Sequence, residues 1–327
     1  MSPYDVLVIG DGPAGCAAAI VAADAGCEVM LLGRGVSLAA PECVSSNALS
    51  LLKLLAPSII TQPDTWLDAD SGFTRGRAVV RSRLDDGLRI AVNKAGVNYS
   101  RTRANPMLPR IENGRIVGVG IGTAEQRARI VIDATGINGC LRRGLALGES
   151  VDSAPIWLRR GFASGCLPQN DAFWQIAQDG WLWLRPTSTQ IIWTSLSARR
   201  CKPVALRQGI SAIGTVWQQC SRWRHLDQAA GPGYFVCGDA AGYLDPASGD
   251  GLRFAIESGI RAATLAADVL KHPGRSSLAA ALYCDWALQD YLAMKVALQQ
   301  VYSRANLDIW CSHHDNMATA PNRRIAS

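Results

Sequence analysis

The sequence carries ten cysteines but has no C-x-x-C pair and no grouping of Cys and His at zinc-ligand spacing. Zinc-finger modules and dithiol redox motifs are therefore excluded, and no metal ligand is assigned. The cysteines stand singly between Cys16 and Cys311, and some, such as Cys16 and Cys237, lie in apolar runs. That pattern is expected of reduced, buried thiols in a cytoplasmic protein, not of a disulfide framework. Lys and Arg form no dense run, so the formal net charge of +6 points to no nucleic-acid partner. No apolar stretch of spanning length escapes interruption by charge or glycine, so no membrane span is expected. The first apolar run begins at Tyr4, with no basic segment or cleavage site before it, and no signal peptide is expected. Histidine is limited to His225, His272, His313 and His314, which form no catalytic signature. The last pair is expected in a polar, frayed tail.

What the chain does have is apolar mass. It is 48% hydrophobic and only 18% charged over 327 residues, enough for one large domain or two intimate ones. Tyr4–Ile9 reads as a buried parallel strand, followed by an Ala-rich helix to about Ala25 that Gly26 stops, then a strand over Cys27–Leu32. This is a βαβ opening. Ser46 or Asn47 is the expected cap of a helix over Ala48–Leu55. Residues 73–92 read as strands, Asn113-Gly114 as a hairpin turn, Ile130–Asp133 as a strand, and 204–220 as a helix. Tyr234–Cys237 reads as another strand, and helices are expected over most of 250–305. Seven of the ten tryptophans fall between Trp157 and Trp223, which suggests the sheet of a second domain.

Gly10-Asp11-Gly12-Pro13-Ala14-Gly15 joins the first strand to the first helix. In a G-x-G-x-x-G turn, Gly10 permits the tight exit from the strand. Gly12 lets backbone approach a pyrophosphate, and Gly15 lets helix and strand pack closely. The helix N-terminus offers free N–H groups and a positive dipole end to phosphates. The setting, strand before and helix after, supports a dinucleotide site. One part is missing. The second strand usually ends in an acid that holds the adenosine ribose. Here Gly33 and Arg34 follow Leu32, with Glu42 a substitute from the next loop.

A second glycine-rich segment runs Cys237-Gly238-Asp239-Ala240-Ala241-Gly242, continuing through Asp245-Pro246 to Gly249-Asp250-Gly251-Leu252. It resembles the Gly-Asp fingerprint of the FAD-dependent hydroxylase superfamily, which includes p-hydroxybenzoate hydroxylase, geranylgeranyl reductases and tryptophan halogenases. Asp133-Ala134-Thr135-Gly136, Glu42 with Leu51 and Leu52, and Tyr291, Tyr302 and Ile309-Trp310 are similar to further segments of that superfamily. The resemblance covers almost the whole chain and implies FAD as cofactor. It implies an α/β fold: a Rossmann-type FAD-binding domain, a mixed β-sheet substrate domain and C-terminal helices. The expected FAD-binding domain takes residues 1–70, 115–150 and 230–272; the substrate domain takes 71–114 and 151–229; the helical segment takes 273–327. Carried over residue by residue, the cofactor site is Gly10, Gly12, Pro13, Ala14, Gly15, Arg34, Gly136, Gly238, Asp239, Pro246, Gly249, Asp250, Gly251 and Leu252. Asp239 would bond the ribityl chain, and the Gly249–Gly251 turn would set a helix N-terminus beside the pyrimidine end of the flavin.

Among the branches, Trp181-Leu182-Trp183-Leu184-Arg185-Pro186 resembles the W-x-W-x-I-P of flavin-dependent halogenases; as plain structure it is a strand with two aromatics on one face. The lysine those enzymes need would fall near Phe73-Thr74-Arg75, where none stands, and Ser248 takes the place of their acidic partner. The Gly180-Trp181 and Asp245-Pro246 segments resemble the LodB and GoxB type of flavoprotein, which acts on tryptophan within a partner protein during tryptophylquinone biogenesis. The expected activity is therefore a monooxygenase-like oxidoreductase with an aromatic small-molecule or protein-borne tryptophan substrate. No side chain is assigned to catalysis. Thr135-Gly136 replaces the D-G that serves NADPH in the hydroxylases, which implies that reduction by NAD(P)H is poor or is done by a separate flavin reductase. The alternatives are a geranylgeranyl-reductase-like enzyme of an apolar substrate and a non-catalytic flavoprotein binding partner.

Overall fold

The structure is a computed structural model that describes residues 3–37, 40–61, 66–67, 76–102, 107–167, 172–177, 180–187, 189–197 and 204–305. The halogenase-lysine position at 73–75, the Ile309-Trp310 pair and the tail with His313 and His314 lie outside the described residues.

The first layer is a parallel sheet in the strand order Tyr234–Val236, Ala124–Asp133, Tyr4–Ile9, Val29–Gly33, Asn98–Arg101. Its central strands are apolar on both faces because helices cover it: Val6, Leu7, Val8 and Ile9 are all fully buried. The helix Pro13–Asp24 returns from the first strand to the second, and Gly26 at φ +85 reverses the chain after it. The turn at Asn113 (φ 51) and Gly114 (φ 73) closes the hairpin of Met107–Glu112 with Arg115–Ile121, and the hairpin joins this sheet through Ala124–Asp133.

The second layer is antiparallel throughout, in the order Phe173–Ala177, Gly180–Pro186, Ile191–Ser197, Ile156–Ser164, Ser211–Ser221. Alternation sorts its side chains. Trp181 and Trp183 face the main core, while Leu182 and Leu184 join Trp193 in a smaller cluster on the other face. The helices Gly251–Lys271 and Ser276–Arg304 complete the chain as described. Tyr283, Tyr291 and Tyr302 lie buried along the last one, and their hydroxyls fasten it to Val236 O (2.8 Å), Asp152 (2.8 Å) and Asp245 (2.8 Å).

Four sequence expectations change. Residues 73–92 were expected as strands, but only Gly76–Val80 is one; Arg81–Lys94 is a helix. Residues 204–220, expected helical, contain the strand Ser211–Ser221. The cap of the Ser46–Leu55 helix is Ser45, whose Oγ accepts the Ala48 N–H at 3.3 Å. The 71–114 segment, expected with the substrate domain, divides: Arg81–Lys94 packs on Pro13–Asp24, and Asn98–Arg101 extends the parallel sheet beside Val29–Gly33.

Candidate active site

Both glycine motifs lie at the carboxyl edge of the parallel sheet, where α/β folds place their ligands. Two adjoining hollows meet there and share Gly12, Ala134 and Gly136. One runs along Gly10, Asp11, Leu32, Gly33, Arg34, Asn138 and Arg143. The other passes Pro13, Ala14, Gly238 and Asp239 to Pro246, Gly249, Gly251 and Leu252, beneath Trp174, Trp181 and Trp183. The result is one elongated groove crossing the end of the sheet.

The glycines differ in why they must be glycine. A Cβ on Gly15 would lie 1.8 Å from the Gly10 carbonyl oxygen, and one on Gly10 (φ +105) would lie 2.2 Å from the Ala134 oxygen. Those two are fixed by backbone packing. Gly12 is not. Its φ is −78, open to any residue, and a Cβ there would meet only Arg81 Nη2 at 3.8 Å. Gly251 likewise has nothing within 4 Å of its Cβ position. Space kept clear at both points, on a groove wall, fits a ligand that approaches backbone closely. The helices that begin there, Pro13–Asp24 and Gly251–Lys271, have no acidic residue in the first turn and no side chain capping their ends. Their free N–H groups are left for an anionic pyrophosphate and for the electron-rich end of a flavin. The donor set and the clear space fit FAD.

The rest of the wall is held by hydrogen bonds and ion pairs, some local and some distant in sequence. The Asp133 carboxylate accepts from Thr135 N (2.9 Å), Thr135 Oγ1 (2.6 Å) and Leu141 N (2.6 Å), which shapes the turn presenting Gly136. Gly238 N donates to Ser258 Oγ at 2.9 Å, and Arg224 Nη2 donates to the Asp239 carbonyl at 2.8 Å. Burial pushes the Asp239 carboxyl above its usual range, with Arg81 acting against it. Glu42 accepts from Arg81 (3.2 Å) and from Arg160 (3.1 Å). Burial alone would raise its carboxyl; Arg160 and Arg81 prevail and hold it below the usual range.

Of the residues expected at the cofactor site, twelve line the groove. Gly15 sits beneath it against Gly10, and Asp250 turns aside to accept from Ser45 Oγ at 3.2 Å. Glu42, considered for the ribose, stands instead in the Trp-walled hollow with Arg81 and Arg160. Sequence reading missed Arg81, Arg160 and Asp11. Only Asp11 carried a signal, as a charged residue inside the first glycine motif. Among the described residues, no His/Cys/Asp/Glu grouping could hold a metal ion, and no helix is long and apolar enough to cross a membrane.

Residues 4–103 match the pyridine nucleotide-disulphide oxidoreductase family model. The segment begins with the βαβ opening and runs on through Arg81–Lys94 to Asn98–Arg101. Cys16 and Cys43 within it are free, and burial pushes the Cys43 thiol up to about 12 and the Cys16 thiol higher still. A digeranylgeranylglycerophospholipid reductase of Methanopyrus kandleri is 32% identical over 163 residues, 44% of this chain and 42% of that protein, so this match spans less than half of the relative. One from Methanoculleus marisnigri is 28% identical over 316 residues, 80% of this chain and 76% of that protein. Among solved structures, the flavin-dependent brominase Bmp2 superposes with a TM-score of 0.74 at 20% identity, covering 88% of this chain and 84% of that one. The peptidyl tryptophan dihydroxylase QhpG, described as essential for tryptophylquinone cofactor biogenesis, gives 0.73 at 20% identity, covering 93% and 76%. At such identities the structural likenesses establish the fold. The sequence matches and the groove's fit support an FAD-dependent oxidoreductase, with FAD as its cofactor.

Proposed function

We propose that the chain is a monooxygenase-like flavoenzyme whose substrate is an aromatic ring of indole type, either free or as tryptophan within a partner protein. The observation that carries this reading is the composition of the hollow beyond Gly249 and Gly251. Trp174 stands edge-on to Trp181 at 5.1 Å and lies 6.2 Å from Trp183, and all three line the same space as Leu252. An indole-walled pocket suits a flat, electron-rich ring. Bound FAD would supply the redox chemistry; the chain binds it, orients it and keeps water from it. In this reading the parallel sheet carries the cofactor and residues 151–229 cover the substrate. In the same reading the fourteen residues expected at the cofactor site hold FAD, twelve by lining the groove and Gly15 and Asp250 by supporting its wall.

Trp183 gives the substrate a polar contact. Its Nε1–H is buried and has no hydrogen-bond partner among the described residues, although the side chain lines the pocket. A buried donor without a partner is costly, and a substrate acceptor would relieve it. Trp183→Phe is expected to raise KM for the aromatic substrate about tenfold while flavin content stays unchanged. Equal KM for the variant and the parent would remove this contact.

The named relatives favour a second reading, a geranylgeranyl-reductase-like reduction of an apolar substrate, for which the tryptophan-lined wall would also supply apolar contacts. Oxygen separates the two. Enzyme reduced with dithionite is expected to modify an indole or a tryptophan-bearing peptide only after air is admitted. Anaerobic turnover of an isoprenoid would establish the second reading instead. A separate flavin reductase is proposed as the electron source, and rapid bleaching of the flavin by NADPH alone would contradict that part.

A further inference from the structure

The adenosine end of the groove lacks the acid expected after the second strand, and the structure shows what occupies its place. A Cβ on Gly33 would lie 2.3 Å from Cγ and 2.4 Å from Cβ of Asp11. The Asp11 side chain fills the volume in which a residue 33 side chain would begin. It is 8% exposed and lines the groove beside Gly33 and Arg34. Its carboxylate is fixed from three directions. Oδ1 accepts the Arg34 N–H at 3.1 Å; Oδ2 accepts the Gly35 N–H at 2.9 Å and the Tyr99 hydroxyl at 2.8 Å; Arg89 Nη1 approaches Oδ2 at 3.5 Å. Oδ2 is thus crowded with donors, whereas Oδ1 takes one from the described residues and keeps acceptor capacity.

We propose that Asp11, delivered from inside the first glycine motif, is the acid that accepts the adenosine ribose hydroxyls, and that Gly33 is glycine to make room for it. The proposal rests on FAD as the cofactor. The acid has moved from the end of the second strand to the loop after the first, while its carboxylate remains at the carboxyl edge of the sheet. Tyr99 and Arg89 hold it there, so it meets the ribose already oriented.

The test compares FAD with FMN, which lacks the adenosine, in fluorescence titrations of the apoprotein. Asp11→Asn is expected to weaken FAD about tenfold and leave FMN unchanged. Gly33→Glu alone is expected to weaken FAD because its side chain collides with Asp11. Asp11→Gly combined with Gly33→Glu is expected to bind FAD more tightly than either single variant, since the acid returns to the strand end. Unchanged FAD affinity in Asp11→Asn would overturn the proposal. So would an equal loss of FAD and FMN, or a Gly33→Glu protein that binds FAD as the parent does. A parent protein that binds neither flavin would instead remove the cofactor assignment itself.

Discussion

Gly12→Ala is expected to leave the melting temperature of the apoprotein unchanged and to weaken FAD about a hundredfold, whereas Gly15→Ala damages both. The two glycines stand three residues apart in one motif, but their surroundings differ. The Cβ position of Gly15 is 1.8 Å from a carbonyl oxygen and 2.9 Å from its carbon, both belonging to Gly10. Backbone cannot yield there without separating the first strand from the first helix. That helix is also pressed from behind, because a Cβ on Gly259 would lie 2.2 Å from Ala14 O. Overpacking at such a junction costs about 3 kcal/mol or more. At Gly12 the protein itself offers no obstacle, with Arg81 Nη2 at 3.8 Å its nearest neighbour. An added methyl group there meets only what binds in the groove. A hundredfold weakening corresponds to about 2.7 kcal/mol, the expected cost of holding a pyrophosphate off its backbone donors. Thermal melts of the apoproteins and flavin titrations of the same samples check both halves. A Gly12→Ala protein that melts early but binds FAD normally would reverse the assignment.

The second large effect is expected at Asp245. Its carboxylate has no exposure and accepts from Ala247 N (2.9 Å), Trp223 Nε1 (2.9 Å) and the Tyr302 hydroxyl (2.8 Å). Tyr302 in turn accepts from Trp181 Nε1 at 2.7 Å, so the residue ties the last helix to a wall of the pocket. Asp245→Ala would leave these donors short of an acceptor inside the core and is expected to cost about 3–5 kcal/mol, read as a fall in denaturant midpoint. Burial pushes the carboxyl from 3.8 up to about 6, against the three hydrogen bonds. The folded protein therefore holds this proton more tightly than the unfolded chain. The resulting stability is full below about pH 4 and is lost as pH rises through about 6, by about 3 kcal/mol. Asp245→Asn, which cannot ionise, is expected to flatten that part of the pH profile. An unchanged profile would show that Asp245 does not titrate in this range.

The readable parts of the chain were those whose cause is local. The buried parallel strand Tyr4–Ile9 and the glycines of both motifs follow from apolar runs and backbone approach. The failures also have local causes. The strand Gly76–Val80 runs into the helix Arg81–Lys94 without a capping side chain, so no start signal separates them. Leu84, Leu88 and Val92 do fall on one buried face, but Gly87 interrupts the helical pattern. Its place is needed by Ile59, whose Cγ1 would lie 2.5 Å from an added Cβ. In Ser211–Ser221, Ile213, Val216 and Cys220 imitate helical spacing. The strand is largely exposed, and the register shift opposite Arg160 and Phe162, beside Gly214 (φ +66), breaks its period of two. Arg81, Arg160 and Arg224 were invisible for another reason. Their partners Glu42 and Asp239 come from remote segments, and only the closed fold brings them together.

The central claim is that the groove from Gly33 to Gly251 holds FAD in a redox-active state. The most direct test is the absorption spectrum of the purified protein after reconstitution with FAD and gel filtration, followed by anaerobic reduction and return to air. Retained flavin bands that bleach on reduction and recover with oxygen are the expected result. A folded protein that retains no flavin after reconstitution would contradict the account.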